Sequence, residues 1–171
     1  MRTVVLSLFC VLASAVGFAS DEKDPRVEAM KAVPDLTGKW EGGGWIRRGP
    51  AEPIKFVGEE TVEARLGGRV LVIEGKHFTP DRSETVHHAL AVLSFDSKAG
   101  AYRFDTWLFN GDGGNHPAKV EDGALVWERP HPEYPARFII RVKDDRWHEI
   151  GELRMGGTWR QFFEMELKRV K

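Results

Sequence analysis

From Leu36 onward the chain is a succession of short segments in which apolar and polar side chains alternate with a period of two, each segment bounded by glycine, proline, asparagine or aspartate. A period of two puts successive side chains on opposite faces of a strand, and no long stretch repeats its apolar residues at helical spacing. The chain is therefore expected to be sheet. Ten strands are read, over residues 38–46, 54–65, 69–77, 85–95, 101–109, 116–121, 124–129, 136–143, 147–154 and 158–168. Their connections alternate in kind. Leu66-Gly67-Gly68, residues 96–100, Asp122-Gly123 and Asp144-Asp145 are tight turns, with glycine or aspartate where a positive φ is needed. Between them stand the longer connections 47–53, 78–84, 110–115 and 130–135, and only Met155-Gly156-Gly157 is short. Successive loops of an up-and-down meander fall at opposite ends, so the tight turns share one end and the long loops the other. The expected fold is all-β, a single antiparallel up-and-down barrel of about ten strands.

Ahead of the strands, Arg2 and the apolar run over residues 4–16, followed by Gly17-Phe18-Ala19, have the form of a secretory signal peptide over residues 1–19. That apolar run is too short to span a bilayer, and no second one follows, so no transmembrane segment is expected. The protein is read as exported, to the periplasm or the extracellular space. The one cysteine, Cys10, lies inside this segment, which leaves no thiol for a disulfide, a nucleophile or a metal. Residues 20–35 form an N-terminal segment in which Asp24-Pro25 opens a short helix, ended by Pro34. The helix is placed over residues 25–33 as a plug or lid, and the barrel domain over residues 36–171. The 25 basic and 26 acidic residues are interleaved and nearly cancel, which argues against a nucleic-acid partner.

The segments LTGKWEGGGW, EETVEARLGGRVLVIEGKH, HALAVLSFDSKAGAYRFDTW and TWRQFFEMELKRV resemble an uncharacterised bacterial family of lipocalin-like, calycin-type barrels and, more distantly, the nitrobindin-type haem barrels. The likeness spans Leu36 to Val170 and implies an internal pocket without implying an activity. Gly38-Lys39-Trp40 resembles the lipocalin G-x-W signature, in which the indole closes the narrow end of the barrel beneath a basic side chain from the last strand. That implies a structural closure by Gly38, Trp40 and Arg169. In the nitrobindin-type barrels haem is held by a histidine near the C-terminus, whereas no histidine follows His148 here. Gly42 and Gly44, which share a face with Trp40, mark either ligand space or a bend of the strand.

No G-x-S-x-G, phosphate loop, dinucleotide fingerprint or H-E-x-x-H motif is present, and no covalent catalysis is expected. Five of the six histidines, His77, His87, His88, His116 and His131, fall at the long-loop end. His77 shares parity with Leu71 and Ile73 and is read as inward. Adjacent strand residues cannot both face inward, and of His87 and His88 it is His88, in register with Leu90 and Val92, that is chosen. Aromatic residues on the more apolar face of their strands are taken as pocket walls. The candidate ligand-binding set is His77, His88, Tyr102, Thr106, His116, Phe138, Trp159 and Gln161. The leading expectation is a barrel that takes up a small apolar or amphipathic molecule, with no cofactor. Two alternatives stand beside it: a haem or zinc protein, or an enzyme, using the histidine-rich mouth, and a structural or interaction module with a filled barrel. Trp107, on a polar face, is expected to be exposed or covered by a partner, as in a homodimer.

Overall fold

The structure is a computed structural model that describes residues 24–171, so the expected signal peptide lies outside the described residues. One short helix, α1 (Pro25–Lys31), precedes ten strands: β1 (Gly38–Ile46), β2 (Ile54–Arg65), β3 (Val70–Phe78), β4 (Thr85–Asp96), β5 (Ala101–Leu108), β6 (Gly113–Glu121), β7 (Ala124–Arg129), β8 (Ala136–Lys143), β9 (Arg146–Met155) and β10 (Thr158–Val170). Each strand pairs antiparallel with its chain neighbours, and β10 returns to pair with β1, so the sheet closes into a barrel. Closure removes both free edges. The all-β barrel expected from the alternation is the fold observed. The largest boundary differences are β6, which begins at Gly113 rather than His116, and β10, which continues to Val170.

The tight-turn end is sealed. Asp24 caps α1 by accepting from the Arg26 amide at 2.9 Å, and its carboxylate also accepts from Arg69 at 3.0 Å, tying the helix start to β2–β3. Met30, Val33 and Leu36 then bury themselves in the barrel core. Trp40, fully buried, meets Trp147 edge to face with centroids 5.6 Å apart and donates its indole N–H to the Leu36 carbonyl at 2.8 Å. The Arg169 guanidinium lies 4.2 Å from the centre of the Trp40 ring, because the β1–β10 register sets Trp40 opposite Arg169. Arg169 also donates to Asp145 and to the backbone carbonyls of Thr37 and Asp35. The cation thus joins the last strand, the β8–β9 turn and the chain entering β1.

The glycines of β1 serve close approach. A Cβ at Gly44 would stand 2.0 Å from the Glu164 carbonyl oxygen of β10 and 2.8 Å from the Phe56 ring of β2. The strand's curvature leaves no room for a side chain there. Among the described residues no helix is long and apolar enough to cross a membrane.

Candidate functional site

Towards the long-loop end the inward side chains form a layer of rings. Phe104 of β5 stacks on Trp127 of β7 at 4.8 Å, and Trp127 on Phe138 of β8 at 4.1 Å. Phe138 meets Phe163 of β10 at 6.0 Å, Phe163 stacks on Phe56 of β2 at 5.8 Å, and Phe56 on His77 of β3 at 4.5 Å. His77 reaches His87 of β4 at 5.2 Å, and His116 of β6 lies against Trp127 at 5.1 Å. The two strands that contribute no ring contribute glycine at this level. Gly44 of β1 stands opposite Phe56, and Gly151 of β9 opposite Phe138 and Phe163, where a Cβ would come within 2.9 Å of the Phe138 ring and of the Phe163 Cβ. Alternation and register therefore converge on one aromatic belt.

Two nitrogens of this belt are buried without a partner, His116 Nδ1 and Trp127 Nε1. His116 Nε2 is engaged by the Thr106 hydroxyl at 3.0 Å, which leaves its other nitrogen the unanswered one. Buried polar atoms in folded proteins nearly always find protein or water partners, and the exceptions call for an explanation. Just beyond the belt, a recess of about 440 Å³ opens at the ends of β7 and β8, bordered by Glu128, Arg129, His131, Pro135, Ala136 and Trp159. The His131 ring shapes its roof by accepting from the amides of Glu133 and Tyr134.

Below the belt lie two buried carboxyls that the sequence reading did not single out. Glu60 of β2 shares a 3.0 Å hydrogen bond with His77 Nε2, and Glu149 of β9 accepts from the Trp147 indole at 3.2 Å. Burial, reinforced by the charge of Glu74, pushes the Glu60 pKa up to about 8. Glu149 is raised to about 8 by burial and by Glu60, with the Trp147 bond opposing. Burial holds His77 down to about 4, and His87 likewise, the latter with help from the charges of His77, Arg48 and His88. Burial thus favours the neutral forms of all four groups. The signal was present in the sequence: Glu60 shares parity with Phe56 and Val62, and Glu149 with Trp147 and Gly151. A carboxylate inside an otherwise inward apolar set marks such a site.

The structure separates the sequence candidates. His77, Thr106, His116 and Phe138 come together at the belt. His88 does not: it faces outward, bonded at 2.9 Å to the exposed Glu74, and His87 takes the inward place. Pairing across β3–β4 decides the parity, since Leu71, Ile73 and His77 stand opposite Leu93, Ala91 and His87. The larger side chains Leu90 and Val92 misled the choice. Gln161 and Trp159 also leave the inner face, although Trp159 still borders the recess. A bulge between Gln161 and Phe163 reverses the alternation in β10, leaving Gln161 opposite Glu152 on the outer face and Trp159 beneath the Arg137 guanidinium at 4.4 Å. Tyr102 faces inward at the wrong end, where its hydroxyl donates to the Ala29 carbonyl at 2.6 Å and pins the helical plug. Trp107 is 53% exposed on the outer face.

A haem held by a histidine near the C-terminus does not fit these residues. The last histidine, His148, lies on the outer face, bonded to Glu164 at 3.0 Å, and no imidazole reaches the interior from β9 or β10. His77, the most buried imidazole, already has its Nε2 engaged by Glu60. One group with metal-ligand spacing occurs among the described residues, His148, Glu164 and Glu166 on that same outer face. Glu164 there already accepts from Trp45 and pairs with His148.

No protein-family model matches the sequence, and a comparison with curated proteins returns no match. Among solved structures, the crystal structure of Rv2717c from M. tuberculosis resembles this chain with a TM-score of 0.63 at 15% sequence identity, over 86% of this chain and 99% of that one. At that identity the likeness concerns the barrel alone.

Proposed function

We propose that this protein binds a small amphipathic molecule at the long-loop mouth of its barrel, against the aromatic belt, without covalent catalysis. The observation that carries this reading is the pair of buried, unpartnered nitrogens, His116 Nδ1 and Trp127 Nε1, set in a stack of rings beside a recess of about 440 Å³. Recesses of this size with aromatic walls and a few convergent polar groups are the usual form of small-molecule sites. An indole N–H is a donor only, and in a dry wall it gains a partner when a ligand acceptor arrives. Among the described residues Trp40, Arg169 and the plug close the other end of the barrel. Export is part of the same proposal, supported by the signal-like segment over residues 1–19.

The test is a titration with the environment-sensitive neutral dye phenylnaphthylamine. Phe138→Leu, which removes ring area from the belt, should weaken dye binding about tenfold, or ~1.4 kcal/mol. Unchanged affinity in that variant would place the dye elsewhere and sink the reading.

A further inference from the structure

Arg129 ends β7 on the inward face, two residues along the strand from Trp127, and borders the recess. Burial, helped by the Arg129 charge and opposed by that of Asp105, holds the His116 pKa below the usual histidine range. Among the described residues no carboxylate lies within ion-pair distance of Arg129. Glu128, the other charged residue bordering the recess, belongs by alternation to the outer face, where its charge acts on Lys119. Arg48, in the loop after β1, is similarly unpaired, and its charge reaches His87. A guanidinium is permanently charged and presents a planar fork of donors suited to carboxylate or sulfonate oxygens. The unpaired indole N–H of Trp127 calls for an acceptor as well.

We propose that the ligand of this mouth is a small amphipathic anion, with a flat apolar body on the Trp127 and Phe138 rings and an acid group held by Arg129. The inference rests on the binding reading above and adds the sign of the ligand's charge. Burial favours the neutral forms of the interior histidines and carboxyls, which spares the acid group a buried anion. It sits at the rim, where Arg129 borders the recess two residues along β7 from Trp127, while the body lies over the belt.

The experiment compares two probes that share an apolar frame and differ in charge, anilinonaphthalene sulfonate and neutral phenylnaphthylamine. The native protein should bind the sulfonate at least tenfold more tightly. Arg129→Gln should remove that preference and leave phenylnaphthylamine unchanged. Trp127→Phe, which keeps a ring and loses the donor, should weaken the sulfonate selectively. Equal affinity for the two probes, indifferent to Arg129→Gln, would overturn the anion while leaving the pocket intact. Failure of both probes to bind the native protein would overturn the pocket and the anion together.

Discussion

The two ends of this barrel use the same materials to opposite effect. At the tight-turn end every conspicuous polar group is answered: the Trp40 indole by Leu36, the Tyr102 hydroxyl by Ala29, the Arg169 guanidinium by Asp145, Asp35 and Thr37. At the long-loop end an indole and an imidazole are buried with a nitrogen each left over, and Arg129 and Arg48 have no carboxylate partner among the described residues. A satisfied polar network stiffens and specifies a structure, whereas an unsatisfied one stores a cost that binding relieves. Stability belongs to the first end, and the proposed recognition to the second.

The largest effect expected from this division is at Trp40. Trp40→Ala should cost about 3–5 kcal/mol in urea unfolding, since it empties a fully buried site. Dye affinity at the mouth should survive. An unchanged unfolding midpoint would erase the division.

Between the two ends, Glu60 and Glu149 make a pH test. Their folded pKa values, about 8, lie above the ordinary 4.5, so the unfolded chain loses those protons first and stability falls as pH rises from 4.5 to 8. His77 and His87, held at about 4 against an ordinary 6.5, act oppositely, adding stability as pH rises from 4 to 6.5. The contributions oppose one another up to pH 6.5, and above it only the carboxyl loss remains. Unfolding free energy should therefore drop between pH 6.5 and 8, by on the order of 2 kcal/mol for each carboxyl. Glu149→Gln should flatten its share of that slope, and an identical slope in the variant would show that Glu149 is not held neutral.

Arg169→Met keeps the apolar stem and removes the stacking cation, so a loss of about 1–2 kcal/mol is expected, again without change at the mouth. The smallest effect is predicted for His88→Ala, within ~0.5 kcal/mol in stability and without effect on dye affinity, because the ring lies on the outer face with Glu74. His87→Ala, one residue away, should disturb the His77 contact and weaken dye binding. Equal behaviour of the two variants would contradict the register of β3 and β4.

Strand count, the position of the helix and the sorting of tight turns from long loops were legible because alternation and turn chemistry are local signals. The Trp40–Arg169 pairing was legible too, since one parity argument along an uninterrupted run reaches Arg169 from Phe163. The site was less so. His87 was missed because β4 is apolar on both faces, and only its pairing with β3 tells them apart. Trp159 and Gln161 were misplaced by a bulge, which shifts parity without leaving a glycine or proline to announce it. Glu60 and Glu149 escaped because a polar residue in an alternating strand is read as outward unless its neighbours two positions away are weighed.

The pairing of Lys39 with Val170 has a consequence for how the molecule comes into being. The first and last strands are partners, so the final seam joins residues separated by nearly the whole barrel sequence, and it cannot form until the last strand is free of whatever is producing or moving the chain. Contacts of such long separation slow folding. Until then β1 presents an unpaired edge of the kind that invites other chains. The glycine run of β1, which weakens an isolated strand, keeps that waiting edge a poor template and lets it become firm only when β10 arrives.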